Sequence, residues 1–372
     1  MDICELSPSY IRDIAPYLPG KPIGELAREF NLDEAGIIKL ASNENPLGMS
    51  PLARDALTKE IAELGRYPDG NAFDLKAALA RRYAISPECL VVGNGSNDLL
   101  EMVGSAFLAP GRAAVMSQHA FAIYTLVVQE RGARSIVVPA KNFGHDLEAM
   151  ARAVTPDTRV VFVANPNNPT GTFADEATVA RFLEAVPRDV LVLLDEAYNE
   201  YLPREQRYDS MKWLAPHPNL VILRTFSKIY GLAGLRVGFG MMGSGVADLL
   251  NRVRQPFNVN SLALAAAGAA LLDNAFVHKS HELNRTGMAE LERGFRRMDL
   301  EWIPSVANFI SVRIPRRDGK PAGGFVYNEL LKRSVIVRPL AGYDMPDHLR
   351  VTVGTADENA KFLSALEQAL KA

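Results

Sequence analysis

An α/β fold, with a large domain built on a mostly parallel sheet and a smaller α+β domain attached, is what this sequence predicts. Three observations lead there. Short runs that are apolar at consecutive positions recur at residues 90–92, 113–116, 135–138, 159–164, 190–194, 220–224 and 236–241, and these predict a seven-stranded sheet. Continuous apolarity marks strands covered on both faces, whereas half-exposed strands alternate. Helical stretches such as 98–107 and 175–185 separate several of the runs, as crossovers between parallel strands require. The third observation is length: 372 residues exceed what one simple core accommodates, so a second domain and a cleft between the two are expected.

The elements follow in order. Pro8, Pro16, Pro19 and Pro22 each fix φ and bias the preceding residue towards extended backbone, so residues 1–36 are expected to form an extended N-terminal arm that lies on something else. A short strand is expected at 37–40, opening a large domain over 37–260. Beyond residue 260 the pattern changes to helices at 262–272 and 276–298, strands at 308–313, 335–338 and 349–353, a helix at 324–333 and a last helix from Asp357. This is the smaller domain, 261–372. The run 262–272 is the longest candidate for a membrane span, but it is too short to cross a bilayer and reads as a buried helix.

Composition narrows the function classes. A content of 48% hydrophobic and 23% charged residues is that of an ordinary globular protein, and a net charge of −2 provides no electrostatic footprint for nucleic acid. Cys4 and Cys89 are the only cysteines and have no CxxC spacing, which argues against a disulfide framework or a zinc site. Asp2 and Glu5 stand where a signal peptide needs basic residues. A cytoplasmic location is expected. His278 and His281 share a helical face but lack a third ligand, so no metal site is expected.

Four segments carry chemistry. Residues 225–238 follow a buried strand and place Lys228 just past its end, where open α/β sheets bind ligands. A lysine there can lose its hydration and have its pKa lowered, as Schiff-base chemistry requires; a solvated lysine after a strand is the plainer alternative. Thr225, Ser227 and Arg236 supply two hydroxyls and a guanidinium suited to a phosphate. In the second segment, residues 190–198, Asp195 ends a strand and Tyr198 lies three residues on. Such a carboxylate can pair with a protonated pyridine nitrogen, with the phenol at a ring oxygen, but magnesium binding or helix capping would use it equally well. The third, 165–171, is a stiff Asn- and Pro-rich loop that could aim Asn168 at the same oxygen, or simply turn the chain. The fourth, 93–98, brings glycines to a helix start and so offers a small anion site. It is not a dinucleotide fingerprint, because Asp98 occupies the place of the third glycine.

In order and spacing these segments resemble those of fold-type I pyridoxal-5′-phosphate (PLP) aminotransferases, most specifically the histidinol-phosphate aminotransferase group. The likeness spans nearly the whole chain and includes residues 39–48, 66–69, 93–96, 165–171, 195–198, 227–228 with Arg236, 337–340 and 349–354. It implies that Lys228 is the Schiff-base lysine, that Asp195 pairs with the pyridine nitrogen and that Tyr198 and Asn168 hold the 3′-oxygen. Ser96, Asn97, Thr225, Ser227 and Arg236 would hold the phosphate. Phe121 would stack on the ring, where a tyrosine is also often found. Tyr67 would reach the phosphate of the neighbouring subunit's cofactor, which makes the active enzyme a homodimer. Arg338 and Arg350, with Tyr17 and Asn43 nearby, would hold the distal anionic group of the substrate; a structural salt bridge is the other role open to Arg350. The implied reaction is ping-pong transamination from L-histidinol phosphate to 2-oxoglutarate, giving imidazole-acetol phosphate and L-glutamate for histidine biosynthesis. An aromatic or broad-specificity aminotransferase, a decarboxylase of a phosphorylated amino acid, and a non-catalytic PLP-binding regulator are the alternatives. The last would need a DNA-binding domain, for which the residues before Ile37 leave no room.

Overall fold

The computed structural model describes residues 2–372. From the N-terminus the elements are α1 (Ser9–Arg12), α2 (Ile23–Phe30), β1 (Ile38–Lys39), α3 (Pro51–Glu60), α4 (Phe73–Tyr83), β2 (Leu90–Gly93), α5 (Ser96–Phe107), β3 (Ala113–Ser117) and α6 (Ala122–Glu130). Then come β4 (Arg134–Val138), α7 (Leu147–Arg152), β5 (Thr158–Ala164), α8 (Glu176–Ala185), β6 (Leu191–Asp195), β7 (Leu220–Thr225), β8 (Gly238–Met242) and α9 (Ser244–Val253). The chain finishes with α10 (Ser261–Ala270), α11 (Asn274–Arg297), β9 (Trp302–Ile303), β10 (Phe309–Arg313), α12 (Gly323–Leu331), β11 (Val335–Ile336), β12 (Arg338–Pro339), β13 (His348–Thr352) and α13 (Ala356–Lys371).

The seven apolar runs become a seven-stranded sheet in the order β2-β8-β7-β6-β5-β3-β4. Only β8 is antiparallel to its neighbours. Every residue of β6 and β7 is buried, which is why these strands are apolar without alternation. Their side chains divide between two cores: Val192, Leu194 and Ile222 enter one, and Leu191, Leu193 and Leu223 the other. Each such side chain contributes roughly 1.5–3 kcal/mol by leaving water. The strand predicted at 236–241 begins later, at Gly238, because Arg236 has a left-handed φ of 59° that no strand accommodates.

A second core lies C-terminal to this sheet. The antiparallel sheet β12-β13-β10-β9 packs Ile310, Val312, Leu349 and Val351 against Leu291 and Phe295 of α11 and Phe362 and Leu366 of α13. Thr355 and Glu358 form a capping box that starts α13. The run predicted as one strand at 335–338 is two. Its first half, β11, pairs in parallel with β1, and its second half, β12, pairs antiparallel with β13.

The N-terminal arm departs from the extended form predicted for it. Pro22 sits at the N-cap of α2, where the first turn has no use for the missing N–H, so this proline permits a helix instead of preventing one. Leu26 and Ala27 of that helix pack with Ile37, Ala41, Leu331 and Ile336. Residues 23–40 therefore adhere to the C-terminal core, whereas the sequence reading placed 37–40 at the start of the large domain. No single helix among the described residues is long and apolar enough to cross a membrane, and α10 lies against α3.

Candidate active site

The sheet places its chemistry at one edge. β5, β6 and β7 are adjacent and parallel, so their C-terminal ends deliver Asn165–Asn168, Asp195–Tyr198 and Thr225–Lys228 to a single cleft. This is where an open α/β sheet leaves a crevice. The start of α5 borders the cleft on one side, and Arg338, Tyr343 and Arg350 of the C-terminal part close it on the other.

Lys228 Nζ donates to the Ser42 carbonyl at 3.2 Å and lies 5.6 Å from the centre of the Tyr198 ring. Burial, then the positive charge of Arg350, lowers its pKa from 10.5 to about 8. A lysine so placed is partly neutral near physiological pH and able to act as a nucleophile or base. Across the cleft the buried Asp195 accepts from the Tyr124 hydroxyl at 2.9 Å through Oδ2 and from the Ala197 N–H at 3.2 Å through Oδ1. Burial raises its pKa, and both hydrogen bonds oppose that rise. The neighbouring Glu196 takes two bonds from Arg224, at 2.9 and 2.6 Å, and Arg224 also reaches Glu200 at 3.0 Å. This buried pairing ties the end of β6 to the end of β7 and fixes the separation of Asp195 and Lys228.

Beside the lysine is an anion nest. Gly95, with φ +84°, turns the chain into α5, and no side chain caps that helix, so the amides of Ser96 and Asn97 are free. Asp98 does not spoil the nest, because its carboxylate is turned aside to the Asn94 N–H at 2.8 Å and the Asn258 amide at 2.6 Å. A Cβ at position 95 would run into the Arg236 guanidinium, so only glycine lets that group close on the loop. Arg236 donates to Ser227 Oγ at 3.3 Å, and the Ser227 N–H donates to Thr225 Oγ1 at 3.1 Å. Both hydroxyls thus accept from the protein and keep their own hydrogens to offer.

At the far wall Asn43 donates to the Tyr198 hydroxyl at 2.8 Å, leaving the Tyr198 hydrogen to point elsewhere, and burial pushes this phenol up to about 12. Arg350 is buried, donates to Asn168 Oδ1 and to the Ala41 carbonyl at 2.7 Å, and leaves its Nε without a partner. Arg338 stands opposite it in register, 5.3 Å over the Tyr17 ring. Among the described residues no carboxylate pairs with either arginine, so the salt bridge considered for Arg350 does not form. Two unpaired guanidiniums on adjacent strands are unfavourable until an anion joins them.

Of the residues singled out from the sequence, Tyr17, Asn43, Ser96, Asn97, Phe121, Asn168, Asp195, Tyr198, Thr225, Ser227, Lys228, Arg236, Arg338 and Arg350 all line this cleft. Tyr67 does not. It is 83% exposed and stacks on Phe257 with ring centres 4.8 Å apart. Tyr124 and Tyr343 were missed. Tyr124 lies one helical turn beyond Phe121, a spacing that could have drawn notice, but its neighbours are apolar and it reads as core.

A nucleophilic lysine and a buried carboxylate at adjacent strand ends, with a phosphate-sized nest between strand and helix, define the protein as a fold-type I PLP-dependent transferase. The donors fit the cofactor one for one: an acid for its ring nitrogen, hydroxyl and amide hydrogens for its ring oxygen, and a cationic nest for its phosphate. The chain belongs to the aminotransferase class I and II family, which it matches over residues 35–366. It is 57% identical over 371 residues to histidinol-phosphate aminotransferase 2 of Nitrosospira multiformis, an alignment covering 100% of this chain and 93% of that one. It is also 57% identical to histidinol-phosphate aminotransferase 1 of Cupriavidus pinatubonensis, covering 98% and 96%. Among solved structures, the histidinol-phosphate aminotransferase of Sinorhizobium meliloti in complex with pyridoxal-5′-phosphate superposes with a TM-score of 0.89 at 27% identity, covering 97% of this chain and 96% of that one.

Proposed function

We propose that this protein is a PLP-dependent aminotransferase that moves the amino group of L-histidinol phosphate to 2-oxoglutarate, yielding imidazole-acetol phosphate and L-glutamate. Its relatives at 57% identity are named histidinol-phosphate aminotransferases. The observation that carries the substrate assignment is the pair Arg338 and Arg350, side by side in register with no carboxylate partner, one of them with a buried, unpartnered Nε. A phosphate monoester brings two negative charges to two guanidiniums and suits their planar fork. The carboxylates of the acceptor meet the same requirement, so one pair serves both halves of the reaction.

Each role rests on a geometric detail. Ser96, Asn97, Thr225, Ser227 and Arg236 hold the cofactor phosphate with the free hydrogens of the nest. Asp195 holds the proton on the ring nitrogen, Phe121 stacks on the ring face, and the hydrogen of Tyr198 and the amide of Asn168 hold the 3′-oxygen. The bound cofactor supplies an electron sink for the charge left at the substrate's Cα. Lys228 Nζ, partly neutral because its pKa is lowered to about 8, accepts the Cα proton. Tyr17 lies over Arg338 and closes the cleft against water, while Asn43 orients Tyr198. Tyr67 of a second copy completes the phosphate site, so the active form is a homodimer. We place the enzyme in the cytoplasm, in keeping with its two free cysteines.

Arg338→Ala and Arg350→Ala, each measured with histidinol phosphate and with phenylalanine, test the assignment. Losing one charge-assisted contact of roughly 1.5–3 kcal/mol is expected to lower kcat/KM for histidinol phosphate about tenfold to a hundredfold. Phenylalanine should suffer far less at Arg338. Equal losses for both substrates at Arg338 would replace this reading with an aromatic or broad-specificity aminotransferase.

A further inference from the structure

Tyr124 is fully buried, yet its hydroxyl makes one hydrogen bond, to Asp195 Oδ2 at 2.9 Å. Its ring is fixed by stacking on Phe162, with centres 4.8 Å apart and planes 12° from parallel. It also meets Phe121 edge-on at 5.8 Å. The phenol therefore has no rotational freedom that would let it choose another partner. We infer that Tyr124 is a positioning residue that sets the proton affinity of Asp195 and thereby the strength with which Asp195 holds the ring nitrogen of the cofactor. This rests on the PLP reading of the site.

A buried carboxylate is costly, and each donor aimed at it favours the charged form. Oδ1 receives the Ala197 N–H and Oδ2 the Tyr124 hydroxyl, so one backbone and one side-chain donor fix the orientation of the group. The other ionisable groups facing Asp195 are Lys228, from beyond β7, and Tyr198, three residues further along its own segment; Arg350 stands behind Tyr198. Lys228 is committed to chemistry and the hydrogen that Tyr198 keeps after accepting from Asn43 is assigned to the 3′-oxygen, which leaves Tyr124 as the side chain free to stabilise the carboxylate. Burial and the adjacent carboxylate hold the Tyr124 phenol well above its ordinary pKa, so it remains a donor over the whole working range. Phe121 and Tyr124 share one end of α6, so the ring-stacking contact and the carboxylate are positioned by one element.

The test is Tyr124→Phe, which removes the oxygen and keeps the ring, made in the wild-type and in the Asp195→Asn holoenzyme. Two quantities are read: the Kd for PLP, from cofactor release, and the pH midpoint of the bound cofactor's visible absorbance. In the wild-type background we expect Kd to rise about tenfold or more, in line with one lost bond to a charged group, and the midpoint to move upward as the ring nitrogen loses its proton more readily. In the Asp195→Asn background the same substitution should change Kd by less than about twofold, since the group it acts through is gone. Equal losses in both backgrounds would show a packing role and overturn the inference, as would an unchanged Kd and midpoint in the wild-type background. A wild-type protein that fails to retain PLP would instead remove the reading beneath it.

Discussion

Lys228 shows how a single side chain carries a cost that function requires. Burial holds it at about 8 against an ordinary 10.5 in the unfolded chain, so between these values unfolding takes up a proton. The penalty is fully present below pH 8 and fades as pH rises towards 10.5. In the cofactor-free protein Lys228→Met, which keeps the stem and removes the amine, is expected to raise stability at pH 7 by roughly 2–3 kcal/mol once solvent screening of this half-buried group is allowed for. Denaturant midpoints at pH 7 and pH 10 check this, with a gain that shrinks at the higher pH; no gain at pH 7 would contradict it. Asp195 directly ends one apolar run and Lys228 follows another by a few residues, so both stood out in the sequence as candidates beside plainer readings. Tyr124 was not legible. Its hydroxyl matters only because the fold brings the first turn of α6 within reach of Asp195, and that proximity is long-range information which periodicity does not carry.

At the scale of elements, the strands were legible and several of their junctions were not. Seven runs of consecutive apolar residues mapped onto seven strands; burial on both faces leaves little room for alternation in all but the edge strand β4, which is partly exposed. The run at 335–338 divides because strands belonging to two different sheets can follow one another without a turn signal between them: buried Val335 and Ile336 pair with β1, and half-buried Arg338 and Pro339 pair with β13. In the arm, four prolines read as extended backbone, yet Pro22 begins α2, since proline at a helix start costs no hydrogen bond. Arg236 was picked for its chemistry and misplaced in its geometry. Its left-handed φ ends the preceding turn and directs the guanidinium back over Gly95, which the strand predicted there could not do. The pairing of β12 with β13 is what sets two separately chosen arginines opposite each other.

At the scale of the molecule, a cleft assembled from residues as distant as Tyr17 and Arg350 was recoverable only through the resemblance, because composition and periodicity say nothing about which strand ends meet. The cleft of its own chain does not use Tyr67, and we propose that the cleft of a second copy does. Tyr67 is 83% exposed, Phe73 73% and Phe257 47%, an apolar surface of the kind that a second copy covers. Mixing Lys228→Ala with Tyr67→Ala subunits should restore about a quarter of wild-type activity after random reassortment, because half the dimers are hybrid and each hybrid owns one intact site. No recovery, with exchange verified by mass, would place Tyr67 in its own chain's site or outside catalysis. The central claim is transamination of L-histidinol phosphate through this cleft, and a single half-reaction tests it most directly. Purified holoenzyme is mixed with L-histidinol phosphate in the absence of acceptor, following the visible absorbance of the cofactor, the keto product and carbon dioxide. The expected result is loss of the absorbance with one keto product per active site, no carbon dioxide, and recovery on adding 2-oxoglutarate; an unchanged spectrum, or release of carbon dioxide in place of the keto product, would contradict the account.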